Sequence, residues 1–388
     1  MITVIADDIT GAAEIAGVCL RYGLKVGFGI DIIPTNVTDV LIIATDSRSM
    51  SEENAYKTHW RLAHEIVKKN PETILFKKCD SVLRGYVLSE LSALLDVFDF
   101  KNVLLQPANP LSGRTIRDGL YYFGTDMIEN TLFSNDPDFP AKTSLVQNLI
   151  LNRSKLHTNI IEIQFGKISK IIEEGVCIPD CTSEVELQQC YELTNEKTLL
   201  CGSAAFFEQM LIKKGFLKVV NEKKQTIITE NFLFVLGSAQ LESADFIKKI
   251  HQLNCPVISF PDYLLNEKID DKELNEWSIK LADKWNQNKR LTIFVSENKI
   301  DFPESSLILK ERLSKVVMIL LKECEIQELL VGGGATAYSI LKLLKLKTLL
   351  PVNELSAGVL RMQIAHHPKF FLTLKPGSYM WPEKLFIL

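Results

Sequence analysis

The chain opens Met1-Ile2-Thr3-Val4-Ile5-Ala6-Asp7-Asp8-Ile9-Thr10-Gly11-Ala12, an apolar run of strand length that breaks into two aspartates, a threonine and a glycine. Ile2–Ala6 lacks the polar alternation of a half-exposed strand, which predicts a strand buried on both faces. Ala12–Arg21 follows with Ile15, Val18 and Cys19 at helical spacing. The same order then recurs: strands Lys25–Ile30 and Val40–Thr45, helix Glu52–Lys69, strand Thr73–Phe76, helix Leu88–Phe98, strand Val103–Gln106. Apolar strands alternating with amphipathic helices predict a parallel sheet covered on both faces.

From Pro107 to Pro140 this regularity stops. Pro107–Thr115 and Asn135–Pro140 are turn-rich, and a loop region this long inside a compact domain is usually functional. Alternation resumes through Ile160–Ile163 and Val176–Ile178 to the helical pattern Ser183–Leu193. Gly215–Thr229 is charged and poor in large apolar residues, so it reads as a linker. A second series follows: strand Phe232–Leu236, helix Ser243–Leu253, strand Val257–Phe260, helix Asp271–Trp285, strand Leu291–Val295, helix Ser305–Cys324, strand Leu329–Val331, a helix to Leu346 and a late strand Phe370–Leu374. The expectation is an α/β protein of two α/β domains with mainly parallel sheets, residues 1–225 and 226–388, and a ligand cleft between them.

Composition narrows the function classes. With 388 residues, 46% hydrophobic and a net charge of −4, the chain is neither too polar nor too charged to fold. Its 44 basic residues against 48 acidic ones give no broad positive field, so nucleic acid is not an expected partner. No apolar run is long enough for a membrane span, and the acidic start without a basic segment does not read as a secretory signal. The eight cysteines show no C-x-x-C spacing and read as reduced, packed thiols of a cytoplasmic protein rather than zinc ligands.

In parallel α/β sheets, ligands bind beyond the carboxyl ends of the strands. Three such ends here carry Asp7-Asp8-Ile9-Thr10-Gly11, Asp46-Ser47-Arg48 and Lys77-Lys78-Cys79-Asp80-Ser81-Val82-Leu83-Arg84-Gly85. Together they predict a polar pocket for a small, oxygen-rich anion. Lys78, Arg84 and Arg48 would neutralise its carboxylate, and Asp7, Asp8 and Asp80 would accept hydrogen bonds from its hydroxyls. One aspartate beside a bound hydroxyl is a candidate general base. The second half offers glycine turns directly after strands: Gly237-Ser238, Gly332-Gly333-Gly334-Ala335-Thr336 and Lys375-Pro376-Gly377-Ser378. Such turns let backbone N–H groups approach a phosphate. The P-loop, the complete G-x-G-x-x-G, the protein-kinase set, G-x-S-x-G and H-E-x-x-H are all absent, and His366-His367 before Pro368 reads as a turn.

These residues resemble the four-carbon acid sugar kinases over nearly the whole chain. The family's A-D-D-x-T-G-A stands as Ala6–Ala12 and its K-x-D-S-x-L-R-G as Lys78–Gly85. P-A-x-P-x-x-G-R-T is Pro107–Thr115, and D-P-x-x-P is Asp136–Pro140. The later G-S turn, G-G-x-T-A and K-x-G are Gly237-Ser238, Gly333–Ala337 and Lys375–Gly377. The resemblance implies an ATP-dependent kinase that uses Mg²⁺ and phosphorylates a terminal hydroxyl of threonate, erythronate or a 3-oxo-tetronate. The acid would sit in the N-terminal domain, ATP in the C-terminal one. It makes Asp8, Asp80, Arg84 and Arg114 substrate or catalytic candidates; taken with the strand-end reading, the expected site has Asp8, Asp80 and Arg84 as catalytic residues and Asp7, Thr10, Lys78, Ser81, Arg48 and Arg114 as acid contacts. Ser238, Gly333, Gly334, Ala335, Thr336 and Gly377 would contact the nucleotide. Ala335, Tyr86 and Pro376 depart from the family's usual acidic residue, asparagine and serine. The alternatives are an NAD(P)-dependent sugar-acid oxidoreductase, which the missing dinucleotide fingerprint disfavours, and a sugar-acid-binding protein that has lost catalysis.

Overall fold

The computed structural model describes every residue except 36–37, 137, 157–158, 220–227, 238–243, 266–269, 296–304, 378 and 387–388. The chain divides into two units, Met1–Val219 and Val220–Leu388. The expected linker falls largely on 220–227, outside the described residues.

The N-terminal unit runs β1 (Ile2–Ala6), α1 (Ile9–Arg21), β2 (Val26–Ile30), β3 (Val40–Ala44), α2 (Glu52–Lys69), β4 (Ile74–Lys78), α3 (Val87–Leu95) and β5 (Asn102–Gln106). It continues with β6 (Arg114–Arg117), β7 (Leu120–Phe123), β8 (Asp126–Met127), α4 (Val146–Leu151), β9 (Ile163–Gly166), β10 (Gly175–Pro179), α5 (Glu184–Glu192), β11 (Thr198–Gly202) and α6 (Ala204–Lys213). Its main strands lie in the order β2-β3-β1-β4-β11-β5-β10-β9, with every neighbouring pair parallel.

Local chemistry starts the helices. Asp8 accepts from Gly11 N to cap α1, and Ser51 does the same for Asn54 N at α2, which carries Glu52 and Glu53 in its first turn and Lys68 and Lys69 in its last. The strands β1, β2, β3 and β5 are buried throughout, as expected where helices cover both faces. Beneath β4, Phe76 meets Phe207 edge-on at 5.1 Å, a contact that contributes about 1 kcal/mol beyond its buried area.

This unit departs from the sequence expectation in several places: α4 is a helix no periodicity marks, and the strand expected at Ile160–Ile163 lies at Ile163–Gly166. Thr198–Gly202 and Ala204–Lys213 form a strand and a helix that pattern reading passed over. The stretch expected to be irregular, 107–140, holds a three-stranded antiparallel sheet, β6-β7-β8. Its strands have four, four and two residues, too few to show a period.

The C-terminal unit runs β12 (Phe232–Leu236), α7 (Ala244–Gln252), β13 (Val257–Ser259), α8 (Asp271–Asn288), β14 (Arg290–Phe294) and α9 (Ser305–Glu323). Then come β15 (Glu328–Gly332), α10 (Gly334–Leu343), β16 (Thr348–Ser356), β17 (Val359–Ile364) and β18 (His367–Lys375). Strands β13-β14-β12-β15-β18 pair in parallel in that order, and β17 and β16 extend them antiparallel, so this sheet is mixed. The hairpin β16–β17 was not anticipated: Pro351 interrupts it, and its register shifts between Pro351 and Asn353 and again between Glu354 and Ser356. His366 stands at φ 67° in the turn before β18. Phe232, Phe234, Phe246 and Trp381 form the aromatic centre of this unit's core.

All eight cysteines are buried and free. Among the described residues, no helix is long and apolar enough to cross a membrane, and no group of three histidine, cysteine or carboxylate side chains is placed to hold a metal ion.

Candidate functional site

In the N-terminal sheet the chain leaves β1 toward β2 and β3 on one side and later places β4 on the other. That reversal is a switch point of the sheet at the carboxyl ends of β1, β3 and β4, the place where such sheets bind ligands. Asp7 and Asp8 follow β1, Arg48 follows β3, and Asp80 and Arg84 follow β4. The structure brings these side chains into one cluster.

Arg48 is its hub. Its Nε lies 3.1 Å from Asp7 Oδ2, its Nη2 pairs with Asp8 Oδ1, and its Nη1 is 3.5 Å from Asp80 Oδ1. Arg84 grips Asp80 with two parallel hydrogen bonds of 2.9 Å from Nε and Nη2, and its Nη1 donates to Asp136 Oδ2 at 3.0 Å. Asp80 also accepts from the backbone N–H groups of Val82 and Arg84. Such bidentate geometry fixes orientation as well as charge. Of the donors expected to meet a ligand carboxylate, Arg48 and Arg84 are therefore already paired with the protein's own aspartates.

The backbone is bent to make this possible. Asp46 and Leu83 stand at φ 53° and 61°, conformations that cost energy for any residue with a Cβ and gather at functional sites. Gly85 stands at φ +91°, and a Cβ there would lie 2.9 Å from Arg48 Cγ. Glycine at 85 is what lets the β4 loop close over the arginine.

The aspartates differ in ionisation. Asp7 is 1% exposed, and burial raises its carboxyl to about 6 against the pull of Arg48, Lys77 and Lys78. Neither of its carboxylate oxygens has a hydrogen-bond partner. Burial acts on Asp8 too, but Arg48, Lys78, Thr10 and Gly11 N together hold it below the usual carboxylate range. Asp80 is held well below that range, because Arg84, Arg48 and Lys78 outweigh its burial. Asp8 and Asp80 are thus fixed acceptors, while Asp7 changes charge near neutrality.

The remaining predicted residues fall around this cluster. Thr10 donates its hydroxyl to Asp8. Lys78, nearly buried, donates to Cys79 O at 2.7 Å and lies 3.8 Å from Glu14. Ser81 contributes its carbonyl, which accepts from Tyr121 OH. Arg114, on β6, stacks over Phe123 and Phe133 at 5.9 Å from each ring. Its charge and that of Asp80 both act on the Tyr121 hydroxyl. Three participants escaped the residue-by-residue reading. Asp136 orders its own loop by accepting from the N–H groups of Asp138 and Phe139. Arg153 holds that loop to the β4 loop by donating to Leu83 O and Phe139 O, and Glu14 faces Lys78. The Asp-Pro motif at 136 was the signal for the first; nothing local marks the other two.

In the C-terminal unit the reversal lies between β12 and β15, and the glycine turns stand there. Gly333 caps α10 at φ +107° and donates its N–H to Lys375 O at 2.9 Å, while Gly237 N–H donates to Gly332 O. A Cβ on Gly237 would come within 2.1 Å of Thr336 Oγ1. Lys375, buried, turns its ammonium to Gly377 O and Tyr379 O at 3.3 and 2.6 Å. Gly333, Gly334, Thr336 and Gly377 are thereby gathered at one strand-end rim, with Ala335 exposed on the first turn of α10. Ser238 lies outside the described residues.

Comparison with known proteins bears on both units. Residues 2–210 match the family model of a sugar-binding N-terminal domain. Over an alignment of 404 positions the chain is 21% identical to a 3-oxo-tetronate kinase of Pseudomonas savastanoi, covering 97% of this chain and 93% of that one. It is 25% identical over 215 residues to a D-threonate kinase of Salmonella typhimurium, and 30% identical over 168 residues to a D-erythronate kinase of Heliobacterium modesticaldum. These two matches span 51% and 38% of the relatives' own lengths. A Haemophilus influenzae protein of a domain-of-unknown-function family shares the fold, with a TM-score of 0.71 at 19% identity over 100% of this chain and 98% of that one.

Proposed function

Because this chain belongs to the four-carbon acid sugar kinase family, we propose that it transfers the terminal phosphoryl group of ATP to a terminal hydroxyl of a four-carbon sugar acid of the threonate, erythronate or 3-oxo-tetronate kind. Its distant relatives are kinases of such acids. The observation that carries the reading is the cluster of Asp7, Asp8 and Asp80 around Arg48, with Arg84 locked on Asp80. Fixed carboxylates accept from a polyol's hydroxyls, and the guanidinium groups behind them compensate charge on the incoming acid.

Phosphoryl transfer asks the protein mainly for positioning and charge compensation. Asp8, ionised and 9% exposed, orients the attacking hydroxyl as an acceptor. Asp7, deeper and unpartnered by hydrogen bonds, sets how firmly Arg48 is held. Asp80 and Arg84 form a rigid pair whose remaining faces address the acid. At the C-terminal unit's rim, Gly237 and Gly333 fix the turns around Thr336 and Lys375, and the N–H groups in the first turn of α10, from Gly334 on, suit a phosphate. Thr336 and Gly377 flank it. Bound ATP supplies the transferable phosphoryl group. Mg²⁺ would arrive on the nucleotide's phosphates.

The test is an ATP-consumption screen over the D and L forms of threonate and erythronate and over 3-oxo-tetronates. Consumption with one of these acids supports the proposal. Binding of an acid without consumption supports the reading in which catalysis is lost, and NAD(P)H oxidation would support the oxidoreductase.

A further inference from the structure

We propose that Glu90, inside α3, is a positioning residue of the acid site: it neutralises Lys77 and tethers Ser47, so that Asp7 keeps Arg48 rather than Lys77 as its partner. The inference rests on the reading of the Asp7–Arg48 cluster as the acid site.

Glu90 is 0% exposed, on a helix whose residues Val87–Leu94 are all buried. A lone buried carboxylate is costly, and this one is surrounded by partners. Lys77 Nζ, also 0% exposed, lies 2.8 Å from Glu90 Oε2. Ser47 Oγ donates to Glu90 Oε1 at 2.5 Å and lies 3.4 Å from the carbonyl of Asp7. Lys77 Nζ donates to Lys78 O at 3.0 Å, and Asp7 N–H donates to the same carbonyl. One carboxylate thus ties together the ends of β1, β3 and β4, the three segments that carry Asp7, Arg48 and Asp80.

The arrangement also sets a charge balance. The groups facing Asp7 are Arg48, Lys77, Asp8 and Lys78. Those facing Glu90 are Lys77, Ser47 and His59, with the Cys201 thiol nearby. His59 is held near 4 by its burial, so it stays neutral around pH 7 and leaves Lys77 as the cation that Glu90 answers. Remove the Glu90 charge and Asp7 is the strongest remaining anionic influence on Lys77. Remove both charges and Asp7 keeps its burial, Arg48, Asp8 and Lys78 but loses the pull of Lys77.

Two variants therefore shift Asp7 in opposite directions. The probe is the ¹³C NMR titration of aspartate-carboxyl-labelled protein, with the Asp7 signal assigned by its loss in Asp7→Asn. In Glu90→Gln, Asp7 becomes a stronger acid by about tenfold or more. In Lys77→Met with Glu90→Gln, it becomes weaker than in the parent. The double variant replaces a buried ion pair by neutral groups of similar size, a change proteins commonly tolerate, so it decides the matter if Glu90→Gln fails to fold. An Asp7 titration that is unmoved in the double variant overturns the proposal, as does a weaker acid in Glu90→Gln. If the parent phosphorylates no four-carbon acid, the kinase reading falls, yet the titration still decides the role of Glu90. If it does, the acid limb of its pH–rate profile moves with Asp7, which a merely structural residue would not cause.

Discussion

Replacing Asp7 by asparagine should make the protein more stable near neutral pH. Burial lifts this carboxyl from 3.8 to about 6, so the folded chain holds a proton there that the unfolded chain has released. The stability this confers is complete below about pH 4 and is lost as pH rises through about 6. At about 1.4 kcal/mol per tenfold, the difference amounts to roughly 3 kcal/mol of destabilisation once Asp7 is ionised. Asparagine keeps the shape and removes the charge, while Arg48 retains Asp8 and Asp80. Asp7→Asn should therefore gain up to about 3 kcal/mol at roughly pH 8 and almost nothing at roughly pH 4. Urea unfolding followed by tryptophan fluorescence at a series of pH values measures both curves. A variant less stable than the parent at the alkaline end, or a difference that does not change with pH, would refute the reasoning.

Three further outcomes follow from the same geometry. Arg84→Ala strips Asp80 of its bidentate partner, so kcat/KM on the preferred acid should fall by about 100-fold or more, with the circular dichroism spectrum unchanged; normal turnover would remove Arg84 from the site. Gly334→Val places a branched side chain on the first turn of α10, and calorimetry should show ATP affinity reduced at least about tenfold; unchanged affinity would count against the phosphate site. Arg361→Leu leaves Glu328 buried without the arginine that donates to it at 2.8 and 2.9 Å, although Thr373 still bonds it. Denaturant unfolding should show the C-terminal unit weakened by about 3–5 kcal/mol.

Much of this was legible in the residues. Ile2–Ala6 and Phe232–Leu236 announce themselves because a strand covered on both faces needs an uninterrupted apolar run, and the polar groups that follow such strands mark the rim. The hairpins did not show. β6–β8 are too short for a period, and β16 combines Pro351 with two register shifts, which erase the alternation that sequence reading depends on. At the site, residue types identified Asp7 and Asp8 together but could not separate them. Their difference arises in the folded surroundings: Arg48 pairs with both, but Asp8 also accepts from Thr10 and from Gly11 N–H, whereas Asp7 is buried with no hydrogen bond to its carboxylate. The pairing of Arg84 with Asp136, 52 residues away, is likewise a product of the fold, as is Glu90, whose place within the apolar run of α3 gives no hint of Lys77 beneath it.

The central claim is that a phosphoryl group ends on the terminal oxygen of a four-carbon acid. ³¹P NMR of the product formed from ATP and the accepted acid tests it most directly. A phosphoester signal split into a triplet by two methylene protons is the predicted result; release of inorganic phosphate alone, or a doublet from a single neighbouring proton, would contradict it.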